Sequence, residues 1–200
     1  MPRITRTSTI GVAAVVMAMT MTATVGACSG SGTPTAAVAA SPVKTVYLDA
    51  SWAEYYHSVA DLKSHSDLAV EAKITKVLDQ TTTDGNIPYT DFQITVESVL
   101  YDPAHRIQAA STAQPATLSL HQTGGTLNGQ KLMIEDDPLF TTGEQYVLFL
   151  REYAAGHYMV VGGPTGRFTV SSAGTLTPIV KDGVSFSGQL SAMQTAIAKG

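Results

Sequence analysis

The sequence predicts a mainly β fold of the α+β class, an antiparallel sheet flanked by an amino-terminal and a carboxy-terminal helix. Three observations carry this. Apolar and polar residues alternate through Leu68–Ile74 and again through Phe92–Leu100, the period of an extended chain with two different faces. A glycine turn leads into an almost uninterrupted apolar run, Gly143 to Leu150. Helical periodicity is confined to two short stretches, one at Ser51–Ser64 and one at Ser187–Lys199.

The long ribbon, Ser66 to Tyr101, organises the rest. Leu68, Val70, Ala72 and Ile74 share one side of its first strand. Beyond Lys76 the apolar parity flips to Val77, which predicts a β-bulge and a bend. Phe92, Ile94, Val96 and Leu100 mark the returning strand. Asp84, Gly85, Asn86 and Pro88 supply the turn between them. Two strands alone are marginal in water, so further elements must cover the apolar side.

In chain order, MPRITRTSTIGVAAVVMAMTMTATVGAC opens with Arg3 and Arg6, continues with an apolar run from Ile10, and ends at a small-residue site. This is the pattern of a secretion leader, with Thr20, Thr22 and Thr24 diluting the run below that of a membrane span. Residues 1–27 are read as this leader, 28–44 as a tether and 45–200 as a single β-rich domain. The tether segment SGSGTPTAAVAASPV is small, polar and Pro-containing, unable to bury enough apolar surface to order itself. The remainder is long enough to bury roughly 68–70% of its unfolded surface, enough for one packed core. Cys28 is the one cysteine, so packing rather than a disulfide must hold the domain.

Ser51-Trp52-Ala53-Glu54 fits a capping box, and Trp52, Tyr55, Tyr56, Val59 and Leu62 recur at helical spacing. His57, Asp61 and His65 would then lie four apart on the opposite side, a spacing that suits a metal ion. No third strong ligand lies nearby, and the weightier reading is a solvated helix face. Ala116–Gln122 predicts a third strand with Leu118 and Leu120 inward, followed by the loop residues Gly124 and Gly125. Glu135-Asp136-Asp137 could collect calcium but lacks the alternating spacing of a calcium loop, and a solvated loop is the weightier reading. Tyr158–Val161 returns on the apolar strand through Ala155-Gly156. Arg167–Val170 and Leu176–Val180 form another hairpin, with Pro178 confining the latter to an edge. Leu190, Met193, Ala196 and Ile197 give the closing helix, with Ser187 as its cap.

Some five antiparallel strands with a bend in the first suit a small, partly open barrel of the OB type. Asp67–Ile74 resembles the opening strand of netrin-like modules, the group that includes tissue inhibitors of metalloproteinases. Gly143–Leu150 resembles a later Gly-x-x-Tyr-Leu strand of the same group. Val25-Gly26-Ala27-Cys28 resembles the bacterial lipobox, and the whole layout is similar to uncharacterised lipoproteins of high-GC Gram-positive bacteria. The lipobox resemblance implies that the Cys28 thiol takes a diacylglycerol and that the leader is cut before it. It implies a protein anchored at the extracytoplasmic face of the cell membrane. The metalloproteinase inhibitors chelate zinc through a disulfide-bonded amino-terminal cysteine. An acylated Cys28 with no partner cysteine cannot carry that mechanism over unchanged.

The chain has 12 Lys and Arg against 16 Asp and Glu; losing Arg3 and Arg6 with the leader leaves ten against sixteen, a net charge of −6. The cations are scattered singly, which excludes a nucleic-acid groove or a patch for anionic lipid. No serine-hydrolase elbow, zinc-protease helix or phosphate-binding loop is present, and no cofactor or metal is called for. His121, beside Gly124 and Gly125, is the best candidate for ligand-binding chemistry, set against an ordinary histidine at a barrel rim. The expectation is a non-enzymatic, membrane-tethered binding module whose partner is an envelope protein or a glycan. An envelope hydrolase with an unfamiliar site is the alternative, and an inhibitor of secreted proteases a third.

Overall fold

A computed structural model of the chain describes residues 43–50, 52–82, 85–107 and 115–200. The leader, Cys28, nearly all of the tether and the Ser51 cap lie outside these residues. The described chain is mainly β. Its strands are β1 Lys44–Leu48, β2 Leu68–Thr82, β3 Pro88–Tyr101, β4 Thr117–Thr123, β5 Gly125–Leu127 and β6 Gln130–Ile134. They continue with β7 Gln145–Ala154, β8 His157–Val160, β9 Arg167–Val170, β10 Thr175–Pro178 and β11 Gly188–Gln189. Two helices, α1 Val59–Ser64 and α2 Leu190–Lys199, complete it.

Eight strands form one mixed sheet in the order β11-β10-β9-β7-β2-β3-β4-β8, and β1-β6-β5 form a second. One edge of β7 pairs with β2; the other is shared, its first half with β9 and its second with β8. Because β8 also pairs with β4, the ladder β7-β2-β3-β4-β8 returns to β7 as a partial ring. Two pairings are parallel rather than antiparallel, β4 with β8 and β1 with β6.

Strand alternation divides the interior in two. Leu68, Val70, Ala72 and Ile74 meet Phe92, Ile94, Leu120, Tyr146, Leu148, Leu150 and Tyr158 within the ring. On the other side of the sheet Ala69, Val147, Phe149 and Phe168 meet Val59 and Leu62 of α1 and Met193 and Ile197 of α2. Each fully buried Leu or Ile contributes about 1.5–3 kcal/mol relative to exposure, so both interiors matter to stability. The parity flip after Lys76 corresponds to a bulge: Ile74 pairs with Ile94 and Lys76 with Gln93, leaving Thr75 unpaired between them. Of the other three irregularities in this ladder, two precede the bulge, at Ala69–Val70 and Glu71–Ala72, and one follows it at Val77–Asp79. Past these bends β2 leaves β7, and Val77 and Leu78 are exposed.

Both helices are shorter than the periodicity predicts. Residues 52–57 are not helical; α1 starts at Val59, where the Ser58 hydroxyl accepts from the Asp61 N–H at 3.0 Å. Trp52 and Tyr56 are drawn instead onto the Gly162-Gly163 turn, where an added Cβ would lie 2.2 Å from the Trp52 ring and 2.7 Å from the Tyr56 ring. Glu54 is held by Arg151, while Tyr55 of the expected apolar stripe is exposed. Tertiary contacts thus override local helical preference. At the other end Ser187 does not cap α2. Gly188 and Gln189 pair with β10, and the Leu190 N–H donates to the Gly174 carbonyl. Pro178 lies past the two residues of β10 that β11 covers, so at that point it borders an edge.

Candidate functional site

The site begins with the register of β3 and β4. Asp91 and His121 are direct cross-strand partners, and alternation turns both away from the ring interior while Leu120 and Gln122 point into it. The Nδ1 of His121 lies 2.8 Å from Asp91 Oδ1. With that nitrogen committed, Nε2 faces away from the carboxylate. Tyr89 packs on the imidazole at 4.3 Å between ring centroids and Tyr153 edge-on at 5.5 Å. Aromatic neighbours at these separations fix ring orientation as well as burying area. Burial is the main cause that pushes the Tyr153 phenol up, with the Asp91 charge adding to it.

Beside His121 opens a cavity of about 290 Å³. One wall is Trp52–Glu54, another is His121–Thr123, and a third is Met159–Gly163. Arg151, Asp137 and Phe140 complete the lining. The displaced segment 52–57 is therefore what makes a depression into a cavity. It is fastened by a two-pronged ion pair: Arg151 Nη1 and Nη2 donate to Glu54 Oε1 and Oε2 at 3.2 and 3.1 Å. Tyr56 Oη donates to the same carboxylate at 2.6 Å. The hydrogen bond from Arg151, then that from Tyr56, holds the Glu54 carboxyl below its ordinary range, and Glu54 in turn raises Arg151.

The base of the site is polar and buried. Arg167 Nη1 donates to Asp137 Oδ1 at 2.8 Å and to the Pro138 carbonyl at 2.7 Å. The guanidinium lies 4.0 Å from the Phe140 ring centroid and 5.2 Å from that of Tyr146. Burial pushes the Asp137 carboxyl up, and the Arg167 charge opposes it. Gln122 ties the same loop down, donating to the Pro138 carbonyl and accepting from the Phe140 N–H. Burial pushes the Tyr146 phenol up to about 12, helped by its hydrogen bond to Glu144.

Of the three candidate ligand-binding residues, the structure brings His121 alone to the cavity. Gly124 and Gly125 turn the chain from β4 into β5 with φ of 113° and 149°. A Cβ on Gly125 would sit 2.8 Å from Thr90 Oγ1, so both backbone angle and close approach require glycine there. The acidic run divides: Glu135 and Asp136 are exposed, whereas Asp137 is buried against Arg167 rather than solvated. His57, Asp61 and His65 do not share a helix face, because His57 precedes α1. His65 Nδ1 lies instead 2.9 Å from the Asp61 carbonyl oxygen, and its ring packs on Tyr56. Among the described residues no three His, Cys, Asp or Glu side chains are grouped to hold a metal ion. Nor, among them, is any helix long and apolar enough to cross a membrane.

Asp91 and Arg151 carry no local sequence signal, and the one that Glu54 carries, a capping box, points to a different role. Asp91 becomes visible once β3 and β4 are paired in register, and the Glu54–Arg151 pair joins positions far apart in the chain. No protein-family model and no curated protein matches the chain.

Proposed function

We propose that this is a membrane-tethered lipoprotein of the cell envelope, anchored through Cys28, whose domain is an OB-like barrel acting as a non-enzymatic binding module. The barrel reading draws on the ring: five strands in the order β2-β3-β4-β8-β7, closed by one parallel pair between the third and last strands in sequence. That order supports the reading as a five-stranded Greek-key barrel of OB type, whose second and third strands present the binding face. Here those strands are β3 and β4, which carry Asp91 and His121.

The observation that carries the binding reading is the cavity itself. It is concave, part apolar and part polar, and walled by five separate segments that converge only in the fold. The Asp91–His121 pair favours a second reading, a hydrolase in which Nε2 acts as general base. That reading also needs a nucleophile. Among the described residues the His121 hydrogen bond goes to Asp91, and none joins it to a serine, threonine or cysteine side chain.

Two experiments test the proposal. Cys28→Ala should release the protein from the membrane fraction into the medium; a variant that stays wholly membrane-bound refutes the anchor. A photo-crosslinking residue at Met159, which lines the cavity and is 38% exposed, should form adducts in intact cells. Adducts no more frequent than from a residue placed at Val99, outside the cavity lining, would refute the binding reading.

A further inference from the structure

We propose that the cavity beside His121 takes one uncharged sugar ring of an oligosaccharide, with the neighbouring ring of that chain lying against Tyr153. This names a ligand class for the binding reading above and rests on it.

Charge is the first argument. Every ionised group in the cavity wall already has its counter-charge: Glu54 has Arg151, and Asp137 has Arg167. His121 has Asp91. Among the described residues the wall holds no unneutralised cation to recruit a phosphate, sulfate or uronate, and no unneutralised carboxylate to recruit an amine. An anion or cation entering here would lose its hydration with no net opposite charge to compensate.

Polarity is the second. Hydrocarbon from Trp52, Phe140, Met159 and Val160 covers part of the wall, yet donors and acceptors interrupt it. His121 Nε2 is turned away from Asp91, the Glu54 carboxylate keeps acceptor sites beyond those facing Arg151 and Tyr56, and Thr123 brings a hydroxyl. A wholly apolar ligand would leave these groups unpaired, at a cost. A sugar ring supplies hydroxyls around its rim and C–H groups on its faces, and so meets both kinds of surface.

Size and surroundings are the third. At about 290 Å³ the cavity is at the small end of ligand pockets, room for a single ring rather than a chain. Outside it Tyr153 is 47% exposed although it packs edge-on against His121. An exposed aromatic ring packed against a residue of the cavity wall is a platform for the next residue of the same ligand.

Trp52 is the chain's one tryptophan, and it lines the cavity, so its emission reports occupancy without a label. The experiment titrates the full-length protein in detergent micelles with cellotriose, mannotriose and arabinotriose. Trigalacturonate and an N-acetylated tri-alanine amide serve as the charged and peptidic counterparts. The expected result is a saturable shift in Trp52 emission, and protection of Trp52 from acrylamide quenching, with at least one neutral trisaccharide. His121→Ala and Tyr153→Ala should each weaken that binding roughly tenfold, the loss of one good contact, while Lys199→Ala leaves it unchanged. Quench protection in the unsubstituted protein keeps the test valid if a variant fails to fold.

Stronger binding of trigalacturonate or of the peptide would overturn the sugar class while leaving the binding reading intact. Unchanged affinity in folded His121→Ala and Tyr153→Ala variants would overturn the site. Silence with every probe, alongside adducts from Met159 in cells, would overturn the sugar and spare the module. Silence in both would overturn the two together.

Discussion

Arg167 and Asp137 are the strongest test of how this fold is held together. Their side chains are 2% and 8% exposed and joined at 2.8 Å. Removing one partner strands the other as an unpaired buried charge, which costs about 3–5 kcal/mol. Asp137→Asn leaves the guanidinium without its counter-charge; Arg167→Met leaves the carboxylate and also removes the cation from the face of Phe140. For a protein of this size each kcal/mol moves the midpoint roughly 2–4 °C, so either variant should lose roughly 6–20 °C. The double variant Arg167→Met with Asp137→Leu behaves differently. Among the described residues Arg167 Nε has no hydrogen-bond partner even in the intact protein, and the Pro138 carbonyl keeps the Gln122 amide when Arg167 is gone. An apolar pair in its place should return to within about 1 kcal/mol of the original or exceed it. Denaturant unfolding followed by circular dichroism and by Trp52 emission measures all three. Single variants within about 0.5 kcal/mol of the original, the range of ordinary surface changes, would refute the argument. So would a double variant whose loss is the sum of the singles.

Three further outcomes are expected. Gly163 has φ of +55°, and a Cβ there would sit 2.2 Å from the Trp52 ring; Gly163→Ala should cost at least about 2 kcal/mol and red-shift Trp52 emission. Thr90 is fully buried and donates to the Gly124 carbonyl at 2.8 Å, so Thr90→Val should cost about 1–3 kcal/mol in equilibrium unfolding by leaving that acceptor unpaired. Arg151 and Tyr56 hold the Glu54 carboxyl below its ordinary value of 4.5. Its contribution is therefore fully present above that value and lost as pH falls through the lower folded value. Acid titration of Trp52 emission should show segment 52–57 loosening in that range, and Glu54→Gln should show it loosened already at neutral pH. An emission profile identical in Glu54→Gln would contradict the fastening role.

The strands with strong alternation were legible because their pattern reports a face directly. Leu68–Ile74, the parity slip at Lys76, Phe92–Val96 and Tyr146–Leu150 all appear in the structure as the sequence suggests. Leu100, expected on the Phe92 side, packs instead against the opposite cluster, because the β2–β3 register shifts just before it, at Glu71/Ala72, and again beside it, at Ala69/Val70. The small sheet of β1, β5 and β6 was not foreseen. Its strands run three to five residues, and their burial is too mixed to print a clear period. The first helix was over-read because Trp52, Tyr56 and Val59 are spaced as if on one stripe. In fact Trp52 and Tyr56 answer to two glycines more than a hundred residues later. The same holds for the site. His121 could be singled out by type, but Asp91 needs the β3–β4 register, and Arg151 and Glu54 need the whole fold. The burial of Asp137 had no local sign at all, since three adjacent carboxylates read as a solvated loop.

The smallest strand of the ring governs how the ring is made. β8 has four residues, yet it occupies the edges of both β7 and β4. The β2–β3 ribbon and the β7–β8 hairpin join neighbours in sequence and can form early. The parallel contact of β8 with β4 brings distant segments together and closes the loop between them, a slower event. Until then the outer edge of β4 is open and Tyr158 lies outside the interior it later fills. An open edge and a short, detachable hairpin are the ingredients for exchange between two copies of a chain. Refolding at high concentration should therefore yield some dimer in which each copy donates its β7–β8 hairpin to the other.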